Sequence, residues 1–552
     1  MKPLSFLLPL SLFLTGLFLV IGSSAEAGLL RRSVSATVES GKLEGAKIND
    51  IERFLGVPYA SPPTGSLRWR PPAAPLKWEG KRDATSFGAS CMQAPIPVDP
   101  QSRDQSPWVQ IPTDRAGKAS EDCLFLNIWR PAEKSQTALP VMVWFHGGSF
   151  ISDSGANTDY DGAAFARAGV ILITVNYRLG RLGFFAHPAL TAEQSGAPVG
   201  NYGLMDAMAS LEWVKRNIQA FGGDPANVTI FGQSSGAALV NLLMVSPSAQ
   251  GLFQRAIAES APGFRQWPML QAASKSGPSA EEKGKVFAVS AGITGDDAAA
   301  LRALPAEKVI GSPWTDKEAR ATPIIDGKIV VESEAAAFAA GHQTKVPYLT
   351  GANSYEGSIL RYFNDPPADI INEFGKNKDR VTALYQWRDN QTAVATALYG
   401  DNVYVMPARY LARKAADAGQ PTYLYHFAFV QRELQGKAYG AAHGAEICIM
   451  FETCEQSERP TYVPRTTDKR MGTAMRTYWV NFARTGDPNG SNLASWPAYK
   501  AASDEIMWFS NSGTLVMPYY QRERLDALEA ASPYTPVTAG AVQEKKKRRA
   551  SK

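Results

Sequence analysis

Residues 228–244 read VTIFGQSSGAALVNLLM. Val228 to Phe231 are strand formers without polar alternation, which suits a strand buried on both faces. Ala237 to Met244 reads as a helix. Between them, Gly232-Gln233-Ser234-Ser235-Gly236 forms a G-x-S-x-G pattern. A tight strand-to-helix turn forces its central residue into a strained backbone conformation, and the flanking glycines let the turn form without side-chain collision. Ser234 is then presented outward, with its Oγ at the helix N-terminus. The strand ahead and the helix behind carry this reading. The five residues alone also describe a plain Gly/Ser turn in which a serine caps a helix.

Outward from this turn, Leu139–Phe145 (LPVMVWF) and Val170–Asn176 (VILITVN) are further doubly buried strands. Leu204, Met208, Leu211, Val214 and Ile218 recur at three and four, which marks a helix face. Gly222-Gly223 stops it, and Asp224-Pro225 begins a turn. Strand, helix and strand in this order imply parallel strands joined by crossovers. Val34–Ser40 reads as an early strand, and Lys345–Thr350 and Pro421–Phe427 as later ones. Residues 57–75, dense in proline and aromatics, read as an ordered loop. Residues 261–320 read as helical. No internal repeat is visible.

A serine hydroxyl is a poor nucleophile and needs an oriented base within reach. The chain has five histidines: His146, His187, His342, His426 and His443. His146 leads a glycine pair, His187 precedes a proline, His342 lies in a polar turn and His426 sits inside a strand. His443, in the small-residue loop YGAAHGAE, is the best base candidate. The acid is expected between serine and histidine. Glu356 follows a strand in TGANSYEG, where open α/β sheets place their sites. Its rival, Asp326, reads more simply as a turn residue. His146-Gly147-Gly148-Ser149-Phe150 follows the LPVMVWF strand. Its backbone N–H groups and that of Ser235 can converge where a negative oxygen would form.

The chain has 552 residues, 45% hydrophobic, 10% aromatic and 20% charged. These values exclude a disordered chain, a collagen-like repeat and a coiled coil. The length allows three or four domains, or one oversized α/β unit. Of the net charge of +5, six cations lie in the last eight residues, from Lys545 to Lys552, and without them the chain stands at −1. No nucleic-acid partner is expected, and residues 541–552 read as a solvated basic tail.

Lys2, the apolar run Leu4–Ile21 and Ala25-Glu26-Ala27 read as an export signal over residues 1–27. An uncleaved anchor is the alternative. No later segment is apolar enough to cross a membrane, so no stable insertion of the mature chain is expected. Export makes disulfides the natural reading of Cys91, Cys123, Cys448 and Cys454. Three connectivities are possible. Pairing neighbours would clamp the loop between Cys91 and Cys123 and pin a short turn after His443, with two free thiols as the alternative for Cys448 and Cys454.

Together these motifs resemble the type-B carboxylesterase and lipase family of α/β hydrolases, whose relatives include the cholinesterases. The resemblance runs over residues 34–520. It includes FLGVPYA at Phe54–Ala60, SEDCL at Ser120–Leu124, Asn176-Tyr177-Arg178 and GNYGL at Gly200–Leu204. It continues through FGGDP at Phe221–Pro225, Trp479, NFAR at Asn481–Arg484 and GDPN at Gly486–Asn489. It implies a large, mostly parallel central sheet with helices on both faces and inserted capping loops and helices, all within one domain over residues 28–540. It also implies an exported serine carboxylesterase that hydrolyses small-molecule esters through an acyl-enzyme, with no metal or cofactor. Same-fold hydrolysis of amides, lactones or thioesters is the alternative, and a non-catalytic binding or adhesion member is another.

By the resemblance Ser234 is the nucleophile, Glu356 the acid and His443 the base. Gly148, Ser149 and Ser235 map to the oxyanion hole. Cys91 and Cys123 map to a family disulfide, and Glu121 and Arg178 to a buried ion pair. Three positions depart from the family pattern: Gln233 where Glu is usual, Ser149 where a third glycine is usual, and Ser235 where alanine is usual. The neutral Gln233 implies a preference for neutral over choline-like esters. Trp108 could partly compensate by presenting its face to a cation, or it could simply plug its loop.

Overall fold

Alternate residues of Leu139–Phe145 enter two different cores. Val141, Val143 and Phe145 pack with Leu204, Leu211 and Leu239. Met142 and Trp144 pack with Phe165, Trp479 and Phe482. A strand that is apolar at every position is thus explained by helices on both faces. Tyr202–Asn217 and Ser235–Val245 cover one face, and Thr466–Thr485 covers the other. Each fully buried large side chain contributes about 1.5–3 kcal/mol.

The computed structural model describes residues 32–95, 117–274, 277–363, 365–388, 390–455 and 465–532. The leader read at 1–27, Trp108 and the basic end at 541–552 lie outside the described residues. Among those described, thirteen strands form one sheet. They are β1 Arg32–Val38, β2 Gly41–Ile48, β3 Ile51–Pro58, β4 Lys81–Asp83, β5 Phe125–Pro131, β6 Leu139–Phe145 and β7 Ile171–Val175. They continue with β8 Gly223–Gln233, β9 Arg255–Glu259, β10 Tyr348–Asn353, β11 Thr422–Phe427, β12 Ile506–Ser510 and β13 Gly513–Met517. The sheet order is β1-β2-β3-β5-β7-β6-β8-β9-β10-β11-β12-β13, with β4 beside β2. From β7 to β12 every neighbouring pair is parallel. The strands β1, β2, β3 and β5 on one side, and β13 on the other, add antiparallel edges.

The chain leaves β6 for β7 on one side and returns to β8 on the other. Order reverses there, so a crevice opens at the carboxyl ends of β6 and β8, where open α/β sheets bind ligands. The connections from β9 to β10 and from β10 to β11 supply Phe264, Trp267, Phe363 and Tyr404, which wall that crevice.

Cys91 and Cys123 are bonded, as are Cys448 and Cys454. The first bond spans a sequence separation of 32 residues and contributes about 3–4 kcal/mol by the loop-entropy relation. Cys123→Ser should lower the denaturant midpoint accordingly. An unchanged midpoint in chemical denaturation would contradict that assignment of stability.

The expected ion pair between Glu121 and Arg178 does not form. Arg178 is bound by Asp206 of the Tyr202–Asn217 helix, through Nε at 2.8 Å, Nη2 at 2.8 Å and its backbone N at 3.0 Å. Glu121 instead takes Arg68, whose Nε lies 2.7 Å from Oε2. Arg178 leaves the end of β7 facing that helix, so Asp206 is the carboxylate in front of it. Glu121 faces the 57–75 loop, which carries Arg68.

Candidate active site

Ser234 sits at the sharp turn between β8 and its helix with φ 58° and ψ −123°. Its backbone N donates to Glu259 O at 2.9 Å, and its carbonyl accepts from Ala238 N at 2.9 Å. The strain is held by close packing. A Cβ on Gly236 would lie 2.0 Å from Phe145 O, and one on Gly232 would lie 2.5 Å from the same carbonyl. Both glycines are therefore required by the approach of β6.

The loop after β6 faces this turn. A Cβ on Gly147 would lie 3.2 Å from Ser234 Cβ. Gly148 has φ +89°, and Ser149 and Phe150 have φ 58° and 63°. Ser149 thus occupies the left-handed region, which a glycine enters without strain. His146 stacks on Tyr177 at 4.5 Å, and Tyr177 Oη donates to His146 O at 2.8 Å, so the loop's first residue is pinned from the side.

Glu356 begins the turn after β10 and is fully buried. Its Oε1 accepts from Ser260 Oγ at 2.5 Å and from Asn353 N at 2.6 Å. Its Oε2 pairs with His443 Nδ1. His443 is held further by its backbone N donating to Ser358 Oγ at 2.9 Å and by ring contact with Tyr404 at 4.7 Å. With Nδ1–H given to Glu356, Nε2 is the acceptor. It meets the Gln233 side-chain amide at 3.1 Å. Tyr404 also lines a cavity with Ser234, Ser235 and Ser149.

The rival residues fall elsewhere. Asp326 Oδ1 accepts three backbone N–H groups, from Lys328, Ile329 and Val330, and so closes a turn. His187 caps the helix Pro188–Glu193. His342 is exposed and pairs with Glu332. His426 is buried in β11, and desolvation pushes its pKa down to about 3.

Sequence reasoning did not find the supports Ser260, Asn353 and Ser358, nor two buried carboxylates behind Glu356. Glu259 Oε1 accepts from Trp479 Nε1 at 2.7 Å, and Glu446 accepts from Asn353 Nδ2. Their other oxygens, Glu259 Oε2 and Glu446 Oε1, have no partner. Burial raises both, Glu446 to about 7, with the Glu356 charge pushing it the same way. Neither gave a signal in the sequence, since Glu259 ends a strand of only five residues, Arg255–Glu259.

A carboxyl raised from 4.5 holds a proton in the native state that the unfolded chain has lost. Its stabilising contribution is complete below pH 4.5 and is lost as pH rises through about 7. Glu446→Gln should therefore gain on the wild type across that window, by about 3 °C in Tm. A Tm difference that stays constant between pH 4.5 and 7.5 would rule this out.

The sequence matches the profile described as the carboxylesterase family over residues 32–528. The chain belongs to the carboxylesterase family. It is 35% identical to the fumonisin B1 esterase of Sphingopyxis macrogoltabida over 86% of each chain. It is 32% identical to the para-nitrobenzyl esterase of Bacillus subtilis (strain 168), over 87% of this chain and 95% of that one. A solved thermophilic PNB esterase superposes with a TM-score of 0.75 at 30% identity, covering 90% of this chain and 99% of the other. The protein is a carboxylic ester hydrolase with the α/β-hydrolase fold. Among the described residues no helix is long and apolar enough to cross a membrane.

Proposed function

We propose that this esterase is exported and works through an acyl-enzyme on Ser234. The supporting observation is the pairing of His443 Nδ1 with the buried Glu356 while its Nε2 meets Gln233, the neighbour of a strained serine that lines the cavity. Ser234 Oγ attacks the ester carbonyl while His443 Nε2 takes its proton. Glu356 keeps the imidazole in the tautomer with Nε2 free and stabilises the imidazolium. The N–H groups of Gly148, Ser149 and Ser235 receive the oxyanion. His443 then protonates the departing alcohol, and water, activated by the same nitrogen, releases the acid. Gln233 must yield Nε2 to the serine before the first step.

Diisopropyl fluorophosphate tests this reading. It should abolish activity at one equivalent and appear on the tryptic peptide bearing Ser234, whereas an unlabelled or fully active protein would refute it. The export proposal draws support from the two disulfides. The proposed order is a leader over 1–27, one hydrolase domain over 28–540 and a basic tail over 541–552. A secreted form with its N-terminus near Gly28 is the expected product.

The contact between Gln233 and His443 yields a further expectation. Gln233→Glu would place a carboxylate beside the imidazole and favour its protonated form. The acid limb of kcat/KM should move up by about one pH unit. An unmoved limb would show that this amide does not sit against the base in solution.

A further inference from the structure

Asn402 borders the cavity of Ser234. It is 3% exposed, and its side-chain Oδ1 meets no hydrogen-bond donor. An amide oxygen shut away from water without a donor is costly. The backbone around it is also unusual. The helix Gln391–Gly400 widens into a π-helical turn, Asp401–Val405, before Met406–Asp417 resumes the α form. Such turns are rare inside α-helices and recur at functional sites. Here the consecutive residues Asn402, Val403 and Tyr404 all border the cavity.

The segment is held in register with Glu356 and His443. A Cβ on Gly400 would lie 2.7 Å from Gly357 N and 3.1 Å from Glu356 Cβ, so the end of the helix lies directly against Glu356. The Tyr404 ring lies 4.7 Å from that of His443. Asp401 accepts from Tyr385 Oη at 2.7 Å and pairs with Arg524 at 2.9 Å. Asn402 stands among these anchors, so its backbone is fixed and its amide is held at the cavity edge. A hydroxyl is the neutral group that suits such an amide. It donates to Oδ1 and can accept from Nδ2, whereas an alkyl chain does neither.

We propose that Asn402 makes this cavity selective for esters that carry a hydroxyl in their acyl or alcohol part, which its side-chain amide receives. The inference rests on the reading of the cavity as the ester site and names the substrate class of that site. The cost of the unpaired amide in the free enzyme is offset in the complex. A site built in this way discriminates against the analogue that lacks the hydroxyl, because that analogue leaves the buried amide unpaired.

The test compares kcat/KM for pairs that exchange a hydroxyl for a methyl group. In the acyl arm, 4-nitrophenyl 6-hydroxyhexanoate is set against 4-nitrophenyl heptanoate. In the alcohol arm, 4-(hydroxymethyl)phenyl butyrate is set against 4-ethylphenyl butyrate. The wild type should prefer the hydroxyl ester in the arm that reaches Asn402. Asn402→Leu should lower that ratio by about tenfold, the worth of one such hydrogen bond. It should also raise Tm by a few degrees, because an unpaired amide gives way to an apolar group of similar volume. Asn402→Ala should lower the ratio as well, and decides if Asn402→Leu does not fold. No hydroxyl preference in either arm, or a ratio that both substitutions leave unmoved, overturns the proposal. Loss of the cooperative melt in both variants also overturns it, by making the amide a structural group. Turnover of the alkyl esters by the wild type in those cases leaves the serine-esterase reading standing. Failure of all four esters, with no adduct at Ser234, overturns both.

Discussion

Ser234→Ala is expected to lower kcat/KM by about 10⁴-fold or more while leaving the fold intact. The loss follows from how the site is assembled. His443 can act as a base only on a group that its Nε2 faces, and Nδ1 is committed to Glu356. Without the Oγ, the base has only water to activate, with no covalent intermediate to divide the barrier. Ser235 is next in sequence, but its side chain is buried in the first turn of the helix Ser235–Val245. Ser260 is committed to Glu356. Neither can replace the nucleophile. Stability should change little, because the backbone of Ser234 is held by Glu259 O and by the packing of Gly232 and Gly236 on Phe145 O. Steady-state kinetics with a 4-nitrophenyl ester, read beside a melting curve, gives the answer. Activity within tenfold of the wild type in a folded variant would remove Ser234 from the mechanism.

The parts legible in sequence were those in which local pattern and global fold demand the same residues. The doubly buried strands β6 and β7 and the Val228–Phe231 stretch of β8 had to be almost wholly apolar, and the elbow needed glycines on both sides of Ser234. Glu356 and His443 could be singled out because each follows a strand on the carboxyl edge. The edge strands were less legible. In β1 and β2 most residues are exposed or half-buried, and polar residues such as Ser33, Glu44 and Lys47 dilute any alternation. Strand β9 is five residues long and rich in alanine, so it carried no signal, and with it Glu259 and Ser260 went unseen. The Arg178 pairing failed for a related reason. Which carboxylate an arginine meets depends on the packing of a helix 28 positions away in sequence, and the chain offers Asp206 and Glu121 alike. Gln233 is the subtler case. Its sequence meaning was a missing charge, whereas its side chain touches the His443 ring.

Gly148→Ala should reduce kcat by about 10²- to 10³-fold, the cost of losing one oxyanion donor. Gly148 has φ +89°, and a Cβ there would lie 2.2 Å from Ser152 O and 2.7 Å from Ser152 C. Those atoms cannot retreat cheaply. Ile151 N and Ser152 N both donate to Gly148 O, at 3.0 and 3.1 Å, and the Ser152 side chain donates to it at 3.1 Å. The turn must open, and opening it swings the Gly148 and Ser149 N–H groups away from the point above Ser234. Strain is already stored in the next two residues, Ser149 and Phe150, both at positive φ, so the loop has little freedom to compensate. Ground-state binding draws on the aromatic walls instead, and KM should move far less than kcat. A trifluoromethyl ketone separates this effect from general damage, because it forms a tetrahedral oxyanion adduct on the serine. Its inhibition constant should weaken in step with kcat/KM, while the rate of labelling by diisopropyl fluorophosphate falls and the melting temperature shifts by only a few degrees. A variant that keeps full affinity for the ketone would place the oxyanion donors on other backbone groups than those of residues 148 and 149.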